Sequence, residues 1–229
     1  MAPIIVGNTI LWDWEYAVQI FPTLLAALKI TIGATLLGFA LACILGLPLA
    51  FGRRSACRPL TLLTGGLVEF VRSTPLLAQL FFIYWGLAEF LGVTMSAFTA
   101  GVTGLGIHYA AYLSEVYRAG IDAVPRGQWE AATALGFSAL RTWTNIILPQ
   151  AIPPVLPVMG NYLIGMFKDT PMLSAITVVE LLQTAKIIGT RSFRFVEPFT
   201  IVGLLFLLLS YLSSLGVARL EARFKRGSA

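Results

Sequence analysis

Two stretches, Ile30 to Phe51 and Phe199 to Ala218, run without one charged side chain. Each reaches the roughly 20 apolar residues that a helix needs to cross the hydrocarbon layer of a bilayer. A chain holding two such stretches cannot have water as its main solvent. Composition agrees, since hydrophobic residues fill 57% of 229 positions and charged residues only 12%, against about 25% charged in a soluble domain.

Apolar runs between charges predict an all-α membrane protein with five core transmembrane helices, their boundaries good to a few residues. The first covers 20–51. The second covers 58–92 and should break near Arg72-Ser73-Thr74-Pro75, because Pro75 has no amide proton and disfavours helix at Thr74. The third covers 96–117. The fourth, 150–188, should be interrupted twice, at Pro153, Pro154 and Pro157 and again at Lys168-Asp169-Thr170-Pro171. The fifth covers 197–220. An odd number of crossings places the termini on opposite sides. Arg53, Arg54 and Arg58 follow the first span, Arg118, Arg126 and Arg141 the third, and Arg219, Arg223, Lys225 and Arg226 the fifth. Short cytoplasmic loops collect such cations, so the C-terminus is expected in the cytoplasm and the N-terminus outside, with Trp12 and Trp14 at the interface. No basic leader or cleavage site precedes the first span, which is expected to stay as an anchor. One loop disagrees: Lys186, Arg191 and Arg194 would lie outside. Reading 150–188 as two crossings would instead turn the basic tail outward, and the crossing count there stays open.

The net charge of +5 does not point to nucleic acid, because the cations gather at the ends of apolar segments and form no stripe on a polar face. Cys43 and Cys57 are too sparse for a disulfide framework and read as free thiols. The sole histidine, His108, with two distant cysteines supports neither a His/Cys metal site nor a nucleophilic triad; it reads as packed or interfacial. Gly101, Gly104 and Gly106 around it would let helices approach closely. No repeat or low-complexity linker divides residues 1–229, which read as a single transmembrane domain.

The polar interruption from Arg118 to Asn145 is the segment large enough to bind another protein. It reads as two short helices. Pro125 and Gly127 punctuate the entrance, Glu130 is expected in a first turn, Gly136 stops the first helix, Ser138 caps the second, and Pro149 closes the unit. Small residues Ala131, Ala132 and Ala134 would admit a partner surface; on physics alone the segment also fits an amphipathic loop at the membrane surface. The pattern Glu130-Ala131-Ala132, three residues, Gly136, nine residues, Ile146, one residue, Leu148-Pro149 resembles the coupling signature of permeases of binding-protein-dependent ABC importers, and matches it at every fixed position. That resemblance implies an ABC importer permease fold in a prokaryotic inner membrane. It also implies that Glu130, Ala131, Ala132, Gly136, Ile146, Leu148 and Pro149, within 126–149, couple the chain to a dimer of ATP-binding subunits. The four lysines, Lys29, Lys168, Lys186 and Lys225, include none after the glycine of a phosphate-cradling loop. ATP and its magnesium are therefore expected on the partner and no cofactor in this chain. A second permease chain, identical or related, and an extracytoplasmic solute-binding protein complete the implied assembly.

Charges inside a bilayer carry an insertion penalty of about 2.5–3.5 kcal/mol each, so they usually face protein or water and act there. Glu69, Arg72, Lys168 and Asp169 are the candidates for a solute pathway. A carboxylate for an ammonium and a cation for a carboxylate would suit a zwitterion; mutual neutralisation within each pair is the plainer alternative. The segments Glu69-Phe70-Val71-Arg72-Ser73-Thr74-Pro75-Leu76-Leu77 and Lys168-Asp169-Thr170-Pro171 resemble motifs of the polar amino acid uptake branch of these permeases, in which the residue matching Asp169 contributes to an intramembrane solute site. Pro171 stands where a serine is common. The stretch Tyr109–Pro171 and Trp12-Asp13-Trp14 resemble permeases for ectoine and hydroxyectoine, cyclic zwitterions used as compatible solutes. A self-sufficient ion-coupled carrier or channel using Glu69 and Asp169 is the alternative from another class; an intramembrane enzyme lacks a visible nucleophile and base.

Overall fold

The computed structural model describes residues 4–6 and 9–226, with side chains from Trp12 to Ala222. The side chains of Arg223, Lys225 and Arg226, part of the basic tail, lie outside the described residues. A short antiparallel hairpin, β1 (Ile4–Val6) and β2 (Thr9–Trp12), opens the chain; every element after it is helical, as expected of an all-α membrane protein. The helices are α1 (Trp14–Arg53), α2 (Arg58–Ser73), α3 (Leu76–Phe81), α4 (Leu87–Leu91), α5 (Ala97–Asp122), α6 (Arg126–Ala134), α7 (Ala139–Thr142), α8 (Leu148–Asp169), α9 (Leu181–Ser192) and α10 (Val196–Arg226). A π-helical turn, Phe82–Gly86, joins α3 to α4, another, Trp143–Ile147, joins α7 to α8, and a 3-10 turn, Thr170–Ile176, follows α8.

Among the described residues, three helical runs are long and apolar enough to cross a bilayer: 14–53, 139–176 and 196–222. The pair α2 and α3–α4, bent by 105°, makes a fourth if counted as one broken span. The bend falls at the expected place, with Thr74 extended at φ −108° and ψ 141° ahead of Pro75. Large apolar side chains such as Val18, Ile44, Leu63 and Leu207 are 65–72% exposed, as lipid-facing surfaces are and soluble surfaces of this extent are not. α5 is long enough to cross but falls short of the other spans in apolarity. Its Ala100, Leu105, Leu113 and Ser114 are fully buried, so protein surrounds much of it and greasiness is not required.

The expected fourth span differs in two ways. Pro153, Pro154 and Pro157 do not interrupt it; they lie inside α8, because a membrane helix tolerates the lost amide donors when neighbouring groups and local π or 3-10 turns absorb them. At the second expected interruption, Lys168-Asp169-Thr170-Pro171, α8 does end, but the helical run continues as the 3-10 turn and stops only at Thr177, left-handed at φ 69°, where Val178 N–H bonds the Leu173 carbonyl at 3.1 Å. Beyond it α9 has 12 residues, about 18 Å of helix against about 30 Å of hydrocarbon. Residues 150–188 thus hold one helix of crossing length.

Two compact units divide the chain. The first comprises residues 1–38, 76–105 and 165–212. Its core packs Ala17, Ile20, Leu24 and Ala27 of α1 against Leu181 and Ala185 of α9 and Ile201, Val202 and Leu205 of α10. Glu180, fully buried, caps α9 by accepting from Leu182 N–H at 2.9 Å and Gln183 N–H at 2.7 Å. Asp13 caps α1 in the same way, its Oδ1 accepting from Glu15 N–H at 3.0 Å and Tyr16 N–H at 3.3 Å. Its Oδ2 takes Arg194 Nη1 at 3.1 Å. Arg194 also pairs with buried Glu197 and lies 4.5 Å over the Tyr16 ring. α1 and α10 therefore start at the same end of this unit, and one cation of the discordant 186–194 loop is neutralised.

The Asp13 carboxyl is held below the ordinary carboxylate range, chiefly by the Tyr16 N–H, with Arg194 and the Glu15 N–H adding to outweigh desolvation. A depressed value stabilises the fold fully above the unfolded pKa of about 3.9 and loses that contribution as pH falls through the folded value. The thermal midpoint of Asp13→Asn should therefore lie below wild type at pH 7 and converge with it on acidification towards pH 3; parallel curves would mean that the capped carboxylate does not contribute.

The second unit comprises residues 39–75, 106–164 and 213–229. Here Gly106 faces Leu41, whose Cδ2, Cγ and Cβ would lie 2.5, 2.8 and 3.0 Å from an added Cβ. In the first unit Gly104 meets Leu80 and Gly101 meets Leu173 in the same manner, so all three glycines provide the close approach read from the sequence. Cys43 and Cys57 are free thiols.

Candidate functional site

The segment 126–149 is built onto the second unit by its aromatic residues. Trp129 of α6 meets Trp143 edge-on at 5.2 Å, and Phe51 meets Trp143 at 5.8 Å. Both tryptophans pack with Ile146 against a core of Ile121, Val124, Ile147 and Ala151. These residues anchor the segment, yet the coupling pattern names only Ile146 among them; tryptophans flanking it on both sides were the available signal.

Glu130 is the fifth residue of α6 and not part of its first turn, since the helix begins directly after Pro125. Gly136 ends α6 at φ 72°. Gly136 N–H bonds the Thr133 carbonyl and Phe137 N–H the Ala132 carbonyl, both at 3.0 Å, the paired bonds of a Schellman stop. Ser138 then caps α7, accepting from Arg141 N–H at 3.4 Å. A second correction concerns Pro149: it closes nothing, but is the second residue of α8, and the helical run from Ala139 passes through it. Proline early in a segment whose preceding turn is π-helical forfeits little.

Ala132 is fully buried while Glu130, Ala131, Gly136 and Pro149 are exposed, and Ile146 and Leu148 are half-buried. Leu135 and Leu140, 71% and 73% exposed, flank Gly136, and no atom lies within 4 Å of where a Gly136 Cβ would stand. The segment thus turns inward through aromatics and outward through small and apolar residues around a turn that only favours glycine, asparagine or aspartate. Leu135 and Leu140 were not singled out from sequence.

The solute-pathway candidates fall into two groups. Glu69 and Arg72 share a face of α2 in the second unit, 3.9 Å apart, and Glu69 is 70% exposed, which makes their attraction small. The Arg72 guanidinium lies 5.4 Å from the Tyr112 ring. Tyr112 belongs to an aromatic cluster with Tyr162 at 5.7 Å and half-buried His108 at 5.2 Å. Lys168 and Asp169 belong to the first unit; Lys168 is exposed and Asp169, half-buried, begins the 3-10 turn. Pro171 takes an early position in that turn, where its missing N–H has no partner to lose. Among the described residues no group of three His, Cys, Asp or Glu side chains is placed to hold a metal ion.

Residues 42–226 match the family model described as binding-protein-dependent transport system inner membrane component. A "Probable amino-acid ABC transporter permease protein" of Sinorhizobium fredii is 46% identical over 94% of this chain and 93% of its own. The nopaline transport system permease protein of Agrobacterium fabrum is 36% identical over 88% of both chains, and the L-cystine transport system permease protein of Bacillus subtilis 38% identical over 81% and 79%. Among solved structures, an amino acid ABC transporter crystallised with histidines superposes with a TM-score of 0.86 at 36% identity, covering 92% of this chain and 98% of that one. An inward-facing methionine ABC transporter shares the fold, with a TM-score of 0.69 at 21% identity over 86% and 92%.

Proposed function

Because the chain belongs to the family of binding-protein-dependent transport system inner membrane components, we propose that it is the permease subunit of an ATP-driven importer of polar amino acids or amino-acid-like zwitterions, with ectoine or hydroxyectoine as the first solute to test. The observation that carries the coupling role is the exposed turn around Gly136, fixed from inside by Trp129 and Trp143 and open on its outer side. ATP-binding subunits with their magnesium would dock on that turn, with exposed Glu130, Ala131 and Gly136 at the contact, buried Ala132 seating α6 beneath them, and Ile146, Leu148 and Pro149 in the helix behind it. Nucleotide-driven closure of the partner would then move the segment and turn the cavity outward to receive solute from the binding protein. The relatives' names, which mention amino acids, nopaline and L-cystine, support the solute class. Glu69, Arg72, Lys168 and Asp169 remain the proposed solute-pathway residues. The pore pairs two permease chains, with N-termini outside and C-termini in the cytoplasm.

Ligand binding by the cognate binding protein tests the solute. Calorimetry is expected to show saturable binding of ectoine or hydroxyectoine in preference to common polar amino acids. Tight binding of such an amino acid with no heat from ectoine would replace the solute and leave the transporter class standing.

A further inference from the structure

Five charged side chains of the second unit form an unbroken chain of alternating sign that none of the roles above uses. Arg53 ends α1 and Arg54 opens the turn after it, while Glu115, Arg118 and Asp122 lie on one face of the last turns of α5. Arg53 pairs with Glu115 Oε1, and Glu115 Oε2 accepts from Arg118 Nη2 at 2.8 Å. Arg118 Nη1 reaches Asp122 Oδ2 at 3.3 Å, and Asp122 Oδ1 pairs with Arg54. Each carboxylate holds two guanidiniums. Read from sequence, the three arginines were only topology signals; the structure gives them partners.

Position gives the network its meaning. Asp122 ends α5, and residues 123–125 lead straight into α6. Ala123 N–H bonds the Ala119 carbonyl at 3.0 Å, Val124 N–H the Ile121 carbonyl at 3.3 Å, and Val124 is buried beside Ile147 and Ala151. Displacement of α6 therefore carries the last turn of α5 with it. At the other end, Thr61 of α2 donates to the Ser55 carbonyl at 2.8 Å, tying the α1–α2 turn to the helix that bears Arg72. Elsewhere in this unit α1 meets α5 through close packing, as at Gly46, where an added Cβ would stand 3.2 Å from the Ala110 carbonyl oxygen and 3.3 Å from Leu113 Cβ. Such contacts oppose separation but permit sliding along the helix axes; alternating ion pairs fix the axial register.

We infer that Arg53, Arg54, Glu115, Arg118 and Asp122 form an ion-pair strap that passes movement of the coupling segment from α5 to the α1–α2 turn and on to α2. The inference rests on the reading of 126–149 as the ATPase-docking segment. All five are positioning residues, since none is placed against solute or nucleotide.

The test uses the complete assembly in liposomes, with permease, ATPase and binding protein, and reads solute moved per ATP hydrolysed. Copurified ATPase and the thermal midpoint are measured beside it. Arg54→Gln and Asp122→Asn are each expected to lower the ratio about threefold or more, with ATPase copurifying as in wild type. The double variant should be no worse than the poorer single, since either change breaks the same link. Arg54→Lys, which keeps the charge, should stay near the wild-type ratio. Unchanged ratios in both singles, additive losses in the double, or losses matched by falls in thermal midpoint and copurified ATPase would each overturn the strap. Gly136→Asp separates the two claims: if it couples normally the docking reading fails, whereas if it uncouples and Arg54→Gln does not, the strap alone fails.

Discussion

Gly136→Asp is expected to insert and fold normally yet reduce ATP-driven uptake about tenfold or more, a loss of about 1.4 kcal/mol of coupling or greater. The backbone at Gly136 is left-handed at φ 72°, and aspartate is among the few residues with a side chain that visit that region readily. Beyond its chain neighbours, nothing lies within 4 Å of where the first side-chain carbon would stand, so the exposed turn has room for the substitution. A defect must therefore arise on the surface that a partner covers. Uptake together with copurification of the ATPase measures it, and Gly136→Asn, equal in shape but neutral, should retain more transport than the aspartate variant. Wild-type uptake with Gly136→Asp would remove the turn from the docking surface.

The largest effect on stability is expected from Gly106→Leu. A first side-chain carbon at Gly106 would stand 2.5 to 3.0 Å from three atoms of Leu41, one of them the Cβ, which moves only with its backbone. Overpacking of a filled interior is destabilising by about 1–3 kcal/mol even when relief is available, and a leucine adds further carbons to the same space. The thermal midpoint in detergent should fall sharply, whereas Gly203→Leu, at a position with nothing within 4 Å, should leave it nearly unchanged. Equal midpoints for the two variants would mean that α1 and α5 do not meet at Gly106 as described.

What the sequence made legible was local. Charge-free runs marked α1 and α10, Pro75 marked the bend at Thr74, and Gly136 with Ser138 marked the stop and the cap that the structure displays. Three glycines on α5 announced close packing and make it. The prolines of α8 misled, because the rule that proline breaks helices is calibrated where water competes for the freed carbonyls, and a membrane helix has no such competitor. Long-range pairs left no local trace: Asp13 meets Arg194 across 181 positions, and Arg54 meets Asp122 across 68. Cations that looked like topology signals thus became structural partners, and α5, legible as the third span, is among the most buried helices.

This chain is expected to move solute only with another polypeptide's ATP hydrolysis. Uphill uptake should be measured in liposomes holding the purified permease alone and, in parallel, the permease with its ATPase, binding protein and internal ATP. Accumulation is expected only in the complete assembly and only with hydrolysable nucleotide; accumulation by the lone permease under an ion gradient would make it a self-sufficient carrier.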